Sequence, residues 1–143
     1  WDLLGSDPEK VLPTAVEEMF RFVSPVGCLR RTATEDFTLH GAEIKKGDKV
    51  VLWFASANRD SKVFKDPHRF VADRTPNEHL AFGWGIHYCL GAHLARAEVT
   101  TLFREIIRRG LRFEVTGEPV RLRHNIFRGL TSLPVRVHKG AGR

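Results

Sequence analysis

One cysteine, one histidine and three glycines fall within ten residues, Phe82-Gly83-Trp84-Gly85-Ile86-His87-Tyr88-Cys89-Leu90-Gly91. Glycines at 83 and 85 permit positive φ and a tight loop, and Gly91 removes a side chain where a flat group would press on the start of the following helix. A sulfur so placed is expected among backbone N–H groups at the positive end of that helix. Such donors favour thiolate over thiol, and the thiolate is the form that ligates metal. His87, Cys89 and His93 also stand at offsets that zinc ligands use, but a structural zinc site needs four ligands, usually with paired cysteines, and the other cysteine, Cys28, lies far upstream. A buried, unreactive cysteine is the plain alternative, and the surrounding glycines argue against it.

The elements that must position this loop are visible as patterns. Ser6-Asp7-Pro8-Glu9 carries helix-start signals: a capping residue, a proline tolerated in the first turn and an early acid. Val16, Met19, Phe20 and Val23 then form an apolar face expected to point into a core, and Ser24-Pro25 is the expected stop. Glu18 and Arg21 lie on the opposite side, where the residues alone describe an exposed ion pair worth well under ~1 kcal/mol. Between Thr32 and Phe54 a small sheet is expected, from the alternating Phe37-Thr38-Leu39, the turn Lys46-Gly47-Asp48 and the apolar run Val50-Val51-Leu52-Trp53-Phe54. Ala57 to Asn77 is rich in Asn, Asp and Pro among aromatics and reads as an ordered, largely irregular meander. Leu94, Ala95, Val99, Leu102, Phe103 and Ile106 trace a helical stripe ended by Arg108-Arg109-Gly110. Short strands are expected at Phe113-Glu114-Val115 and Leu133-Pro134-Val135-Arg136-Val137, and a loose tail from Lys139 to Arg143. The fold class is mainly α with small β-sheets.

The cysteine loop resembles the haem-ligand loop of the cytochrome P450 family. Phe82, Gly83, Gly85, His87, Cys89 and Gly91 stand at the family's offsets, followed by Leu94-Ala95-Arg96. The resemblance spans nearly all of residues 1–143, as one partial domain: the C-terminal, haem-ligating part of the fold, with the distal half missing. It implies a Glu-x-x-Arg helix, a small sheet, an irregular meander, the cysteine loop, a following helix and C-terminal strands. Cys89 would be the axial thiolate of haem b (iron protoporphyrin IX), donating electron density that favours O–O cleavage. Phe82 would shield the sulfur, with Gly83, Gly85 and Gly91 shaping the cradle. His87 and an arginine before the small sheet would meet the haem propionates. Arg31 best matches that position, but Arg30 is adjacent and the sequence does not choose. Glu18 and Arg21 would lock to a second arginine, Arg69 of Asp66-Pro67-His68-Arg69-Phe70, in a buried network whose broken form costs roughly 3 to 5 kcal/mol. Leu130 and Thr131 would be substrate-contact candidates. The activity implied is that of a soluble, bacterial-type haem-thiolate monooxygenase, inserting one atom of O2 into a small organic substrate. Its electrons would come ultimately from NAD(P)H through a ferredoxin or flavoprotein partner.

The 143 residues, 42% hydrophobic and 28% charged, suit one domain with a modest core. The net charge of +6 is spread along the chain, with no DNA-binding motif and no dense basic stripe interleaved with aromatics. Nucleic acid is therefore not an expected partner, whereas an acidic redox protein steered by this charge is. No run approaches the ~18 to 20 apolar residues that span a bilayer, so no membrane segment is expected within this chain. Two cysteines suit a reducing compartment, and the cytoplasm is the expected location. The chain opens at Trp1 without a methionine and reads as starting inside a longer protein. No segment matches the family's distal helix with its acidic residue and threonine. The alternative reading is thus a non-catalytic truncated remnant, unable to act alone because a bound haem would expose one face.

Overall fold

The structure, a computed structural model, describes residues 1–140. Two helices carry most of the core. After a short α1 (Asp2–Ser6), α2 (Pro8–Val23) starts with Asp7 as its cap, the carboxylate accepting the Lys10 N–H at 3.3 Å, and with Pro8 in the first turn. It ends where Ser24 takes a positive φ of 46° before Pro25. α4 (Ala92–Arg108) packs across α2, and Gly110 at φ 62° turns the chain away after it.

The core is Leu4, Val11, Leu12, Ala15 and Val16, joined by Met19 and Phe20 and, from other elements, Ala72, Val99, Phe103 and Ile107. The expected face of α2 holds at Val16, Met19 and Phe20 and fails at Val23, which is 51% exposed. Glu18 and Arg21, which the helical pattern alone would leave in solvent and the family resemblance implies in a buried network, are fully buried. On α4, Leu94 and Leu102 of the expected stripe are exposed, and the inward positions are Ala92, Val99, Phe103, Ile106 and Ile107.

The β-structure among the described residues is four antiparallel two-stranded ladders. β1 (Leu29–Thr32) pairs with β4 (Lys49–Leu52), and β2 (Phe37–Leu39) with β3 (Ala42–Ile44). The apolar run after Gly47 thus divides: the strand stops at Leu52, and Phe54 opens the one-turn helix α3 (Phe54–Ala57). β5 (Leu111–Val115) pairs with β8 (Val135–Lys139), and β6 (Val120–Arg121) with β7 (Leu130–Ser132). Lys139, expected in the tail, belongs to β8, and residues 141–143 of that tail lie outside the described residues. From Asn58 to Trp84 the chain is irregular and yet ordered by specific bonds to α2.

Candidate functional site: a cysteine loop beside an apolar groove

The loop before α4 is built by its glycines. Gly83 has φ 74° and Gly85 φ 62°, both in the left-handed region that favours glycine. A Cβ on Gly83 would also sit 3.2 Å from the His87 carbonyl oxygen. A 3-10 turn at Gly85–His87 follows, with the Tyr88 N–H donating to Gly85 O at 3.0 Å. The Cys89 N–H then returns to Phe82 O at 2.9 Å, closing the loop on its first residue. Among the described residues, the N–H groups of Leu90 and Gly91 donate to no backbone carbonyl. α4 begins at Ala92 with Gly91 as its cap, leaving that end uncovered by any side-chain cap.

Cys89 is exposed and opens into a groove of about 590 Å³. Its walls are mostly apolar: Val26, Leu29, Leu52, Trp53, Phe54, Leu80, Ala81 and Phe82. Arg31 and His87 supply the cationic and polar side chains at its edge. Strand alternation decides between the two adjacent arginines, because Leu29 and Arg31 turn toward the groove while Arg30 faces solvent. Gly91 leaves open the space next to the sulfur, where a Cβ would stand 3.9 Å from Sγ.

Glu18 and Arg21 form a buried network with the meander. Arg21 donates from Nε and Nη2 to the two Glu18 oxygens at 2.7 and 2.8 Å, and further to the carbonyls of Asn58, Pro67 and Arg69. Glu18 also accepts the Val71 N–H at 2.8 Å and Asn77 Nδ2 at 3.2 Å. The second guanidinium is not that of Arg69, as expected, but that of Arg74, whose Nε meets Glu18 at 3.0 Å. The Arg69 side chain is exposed, and the residue enters the network only through its carbonyl. Burial pushes the Glu18 carboxyl up, and the hydrogen bonds from Arg21 and Val71, with the charges of Arg21 and Arg74, more than reverse it. Asn58, itself buried, links the end of α2 to the loop approach, donating to Ser24 Oγ at 3.0 Å and accepting the Leu80 N–H at 2.7 Å.

Leu130 and Thr131 are not among the residues lining this groove; they lie in the β6–β7 ladder, where Thr131 Oγ1 donates to Val120 O at 3.2 Å. The same segment approaches the groove a few residues earlier, at Ile126 to Arg128. Gly27 N–H donates to Ile126 O, Arg128 N–H to Pro25 O, and Phe127 bridges Val26 on the groove wall. Sequence reasoning also missed Glu17, Tyr88 and His79. Glu17 directly precedes the Glu-x-x-Arg pair, and Tyr88 directly precedes the cysteine.

A family model described as cytochrome P450 matches residues 10–136. A methyl-branched lipid omega-hydroxylase of Mycobacterium tuberculosis is 48% identical over 135 residues, covering 94% of this chain and 32% of the relative. Linalool 8-monooxygenase of Pseudomonas putida is 47% identical, covering 94% of this chain and 33% of that one. The solved structure of cytochrome P450-153 from Novosphingobium aromaticivorans superposes with a TM-score of 0.92 at 43% identity, over 96% of this chain and 35% of that one. The chain belongs to the cytochrome P450 family. It spans about a third of the length of the curated relatives it matches.

Membership implies a haem, and the residues present fit one. A single exposed sulfur suits a metal whose other ligands arrive with it in a macrocycle. Among the described residues, no three His, Cys, Asp or Glu side chains gather as a protein-only metal site would require. The apolar groove beside the sulfur, with Arg31 and His87 at its edge, matches a flat apolar group that carries carboxylates.

Proposed function

We propose that this chain is the haem-ligating part of a haem-thiolate monooxygenase, with Cys89 as the axial ligand. The observation that carries the reading is the exposed Cys89 sulfur at the foot of an apolar groove edged by Arg31 and His87. When bound, the haem supplies activation of O2 and transfer of one oxygen atom to an organic substrate, using electrons delivered by a redox partner.

The chain's own residues bind, orient and shield. Cys89 presents its sulfur from a loop fixed by Gly83, Gly85 and the bond from its own N–H to Phe82 O. The Leu90 and Gly91 N–H groups, which donate to no backbone carbonyl, would be the donors available to stabilise the ionised sulfur. Arg31 and His87 hold the carboxylate edge of the group by charge-assisted hydrogen bonds. Phe82 excludes water from one side of the sulfur, and Glu18, Arg21 and Arg74 keep the supporting meander in place. The named activities of relatives, on methyl-branched lipids, linalool and steroids, favour an apolar substrate for the whole protein. Electrons drawn ultimately from NAD(P)H through a ferredoxin or flavoprotein, and a cytoplasmic location, complete the proposal. No described helix is long and apolar enough to cross a membrane.

The reduced, carbon-monoxide-bound absorption spectrum of the haem-loaded protein tests the reading. The parent should show the thiolate-type band, and Cys89→Ala should lose it. An unchanged band in the variant rejects Cys89 as the ligand.

A further inference from the structure

Glu17 and Glu18 are neighbours on α2 and serve different partners. Glu18 ties the helix to the meander, while Glu17 reaches the cysteine loop and α4. Its carboxylate accepts Arg96 Nε at 2.6 Å and Nη2 at 2.9 Å, a two-pronged pairing, and His79 Nε2 lies 3.1 Å away. The remaining terminal nitrogen of Arg96, Nη1, donates to Tyr88 Oη at 3.0 Å. The same guanidinium carbon stands 4.4 Å from the centre of the Phe82 ring, within cation–π range. Phe82 opens the loop, Tyr88 precedes the sulfur, and the Cys89 N–H returns to Phe82 O. One guanidinium thus grips both ends of the segment that presents Cys89.

We propose that Glu17, Arg96 and Tyr88 form a positioning clamp that sets the attitude of the Cys89 sulfur toward the haem iron and keeps it bound as thiolate. The proposal rests on the haem-ligand reading of Cys89. An ion pair serving only to join α2 and α4 needs neither the bond to Tyr88 nor the ring of Phe82. Both extra contacts fall on the loop, seven and one positions before the sulfur. Arginine is the side chain suited to this role, because its rigid fork engages a carboxylate with two nitrogens and leaves a third for the phenol. The clamp is anchored on the helix that also carries Glu18 and Arg21, so the loop and the meander are referred to one rigid element.

The test uses the haem-loaded protein and three variants: Tyr88→Phe, which removes one hydroxyl, Arg96→Lys, which keeps the charge and loses the fork, and Glu17→Gln. The readout is the ratio of thiol-type to thiolate-type bands in the reduced carbon-monoxide complex, compared at equal haem content and equal far-UV thermal midpoint. The clamp predicts that this ratio rises at least threefold in Tyr88→Phe and further in Arg96→Lys and Glu17→Gln. If Arg96→Lys does not fold, Tyr88→Phe decides alone. Folded, haem-replete variants with the parental ratio overturn the clamp and leave the ligand reading standing. A parent that takes up no haem, or a Cys89→Ala variant that keeps the thiolate band, overturns the ligand reading and the clamp with it.

Discussion

Arg69 and Arg74 are five positions apart, and only one of them brings a charge to Glu18. Both belong to a polar, irregular stretch without periodicity, so nothing local marks which guanidinium turns inward. The choice is made by tertiary packing: Arg74 enters beneath the meander and engages the carbonyls of Lys65, Asp66 and Arg69. Removing its side chain leaves Glu18 with one guanidinium fewer in a fully buried site, and Arg74→Ala should destabilise the fold by about 3 kcal/mol. Arg69→Ala keeps the carbonyl that the network uses and should stay within about 0.5 kcal/mol. Chemical denaturation of the two variants checks the contrast, and equal losses would contradict it. The same limit explains Glu17. A carboxylate next to Glu18 carries no signal of its own, and its role appears only once α4 crosses α2. Burial pushes the Glu17 carboxyl up, and hydrogen bonds and charge from His79 and Arg96 outweigh this, bringing it down to about 2. It is therefore ionised at neutral pH and available to Arg96.

At the scale of elements, the two long helices and the loop between meander and α4 were legible, because periodicity, capping and glycine spacing are local signals. The burial of Glu18 and Arg21 was not legible from periodicity. An apolar stripe predicts burial on one side, and only the family resemblance implied that these two are buried as well, by pairing with each other and with meander carbonyls. The expected single sheet resolves into separate ladders because Gly41 and Gly47 turn the chain at φ 83° and 93° and the β4 strand stops before Trp53. The loop glycines differ in what they permit. Gly83→Ala strains a positive φ and drives a Cβ toward His87 O, and should cost about 1–3 kcal/mol with loss of haem retention. Gly91→Ala has ordinary backbone at φ −84° and should preserve the thermal midpoint while weakening haem binding, since its methyl stands beside the sulfur. Paired melting curves and haem titrations separate these outcomes, and a Gly83→Ala variant with parental stability would refute the loop account.

At the scale of the whole molecule, surface area carries the argument. A compact monomer of 16.3 kDa exposes about 7,500 Å². This chain exposes 10623 Å², about 3,000 Å² more. Ile86 at 98%, Leu90 at 100% and Leu94 at 64% exposure extend apolar surface from the cysteine loop along α4. Such surface suits contact with further polypeptide of the kind the longer relatives possess. Residues 1–143 expressed alone should therefore bind a hydrophobic dye strongly and elute as oligomers, and a monodisperse, dye-silent monomer would contradict this. None of that excess was legible in composition, because 42% hydrophobic residues describe equally a closed domain and an open one. The central claim remains the sulfur of Cys89. X-ray absorption at the iron edge of the haem-loaded protein measures its ligation most directly. One sulfur scatterer bound to iron in the parent, and none in Cys89→Ala, is the predicted result; a first shell of nitrogen and oxygen alone in the parent would contradict it.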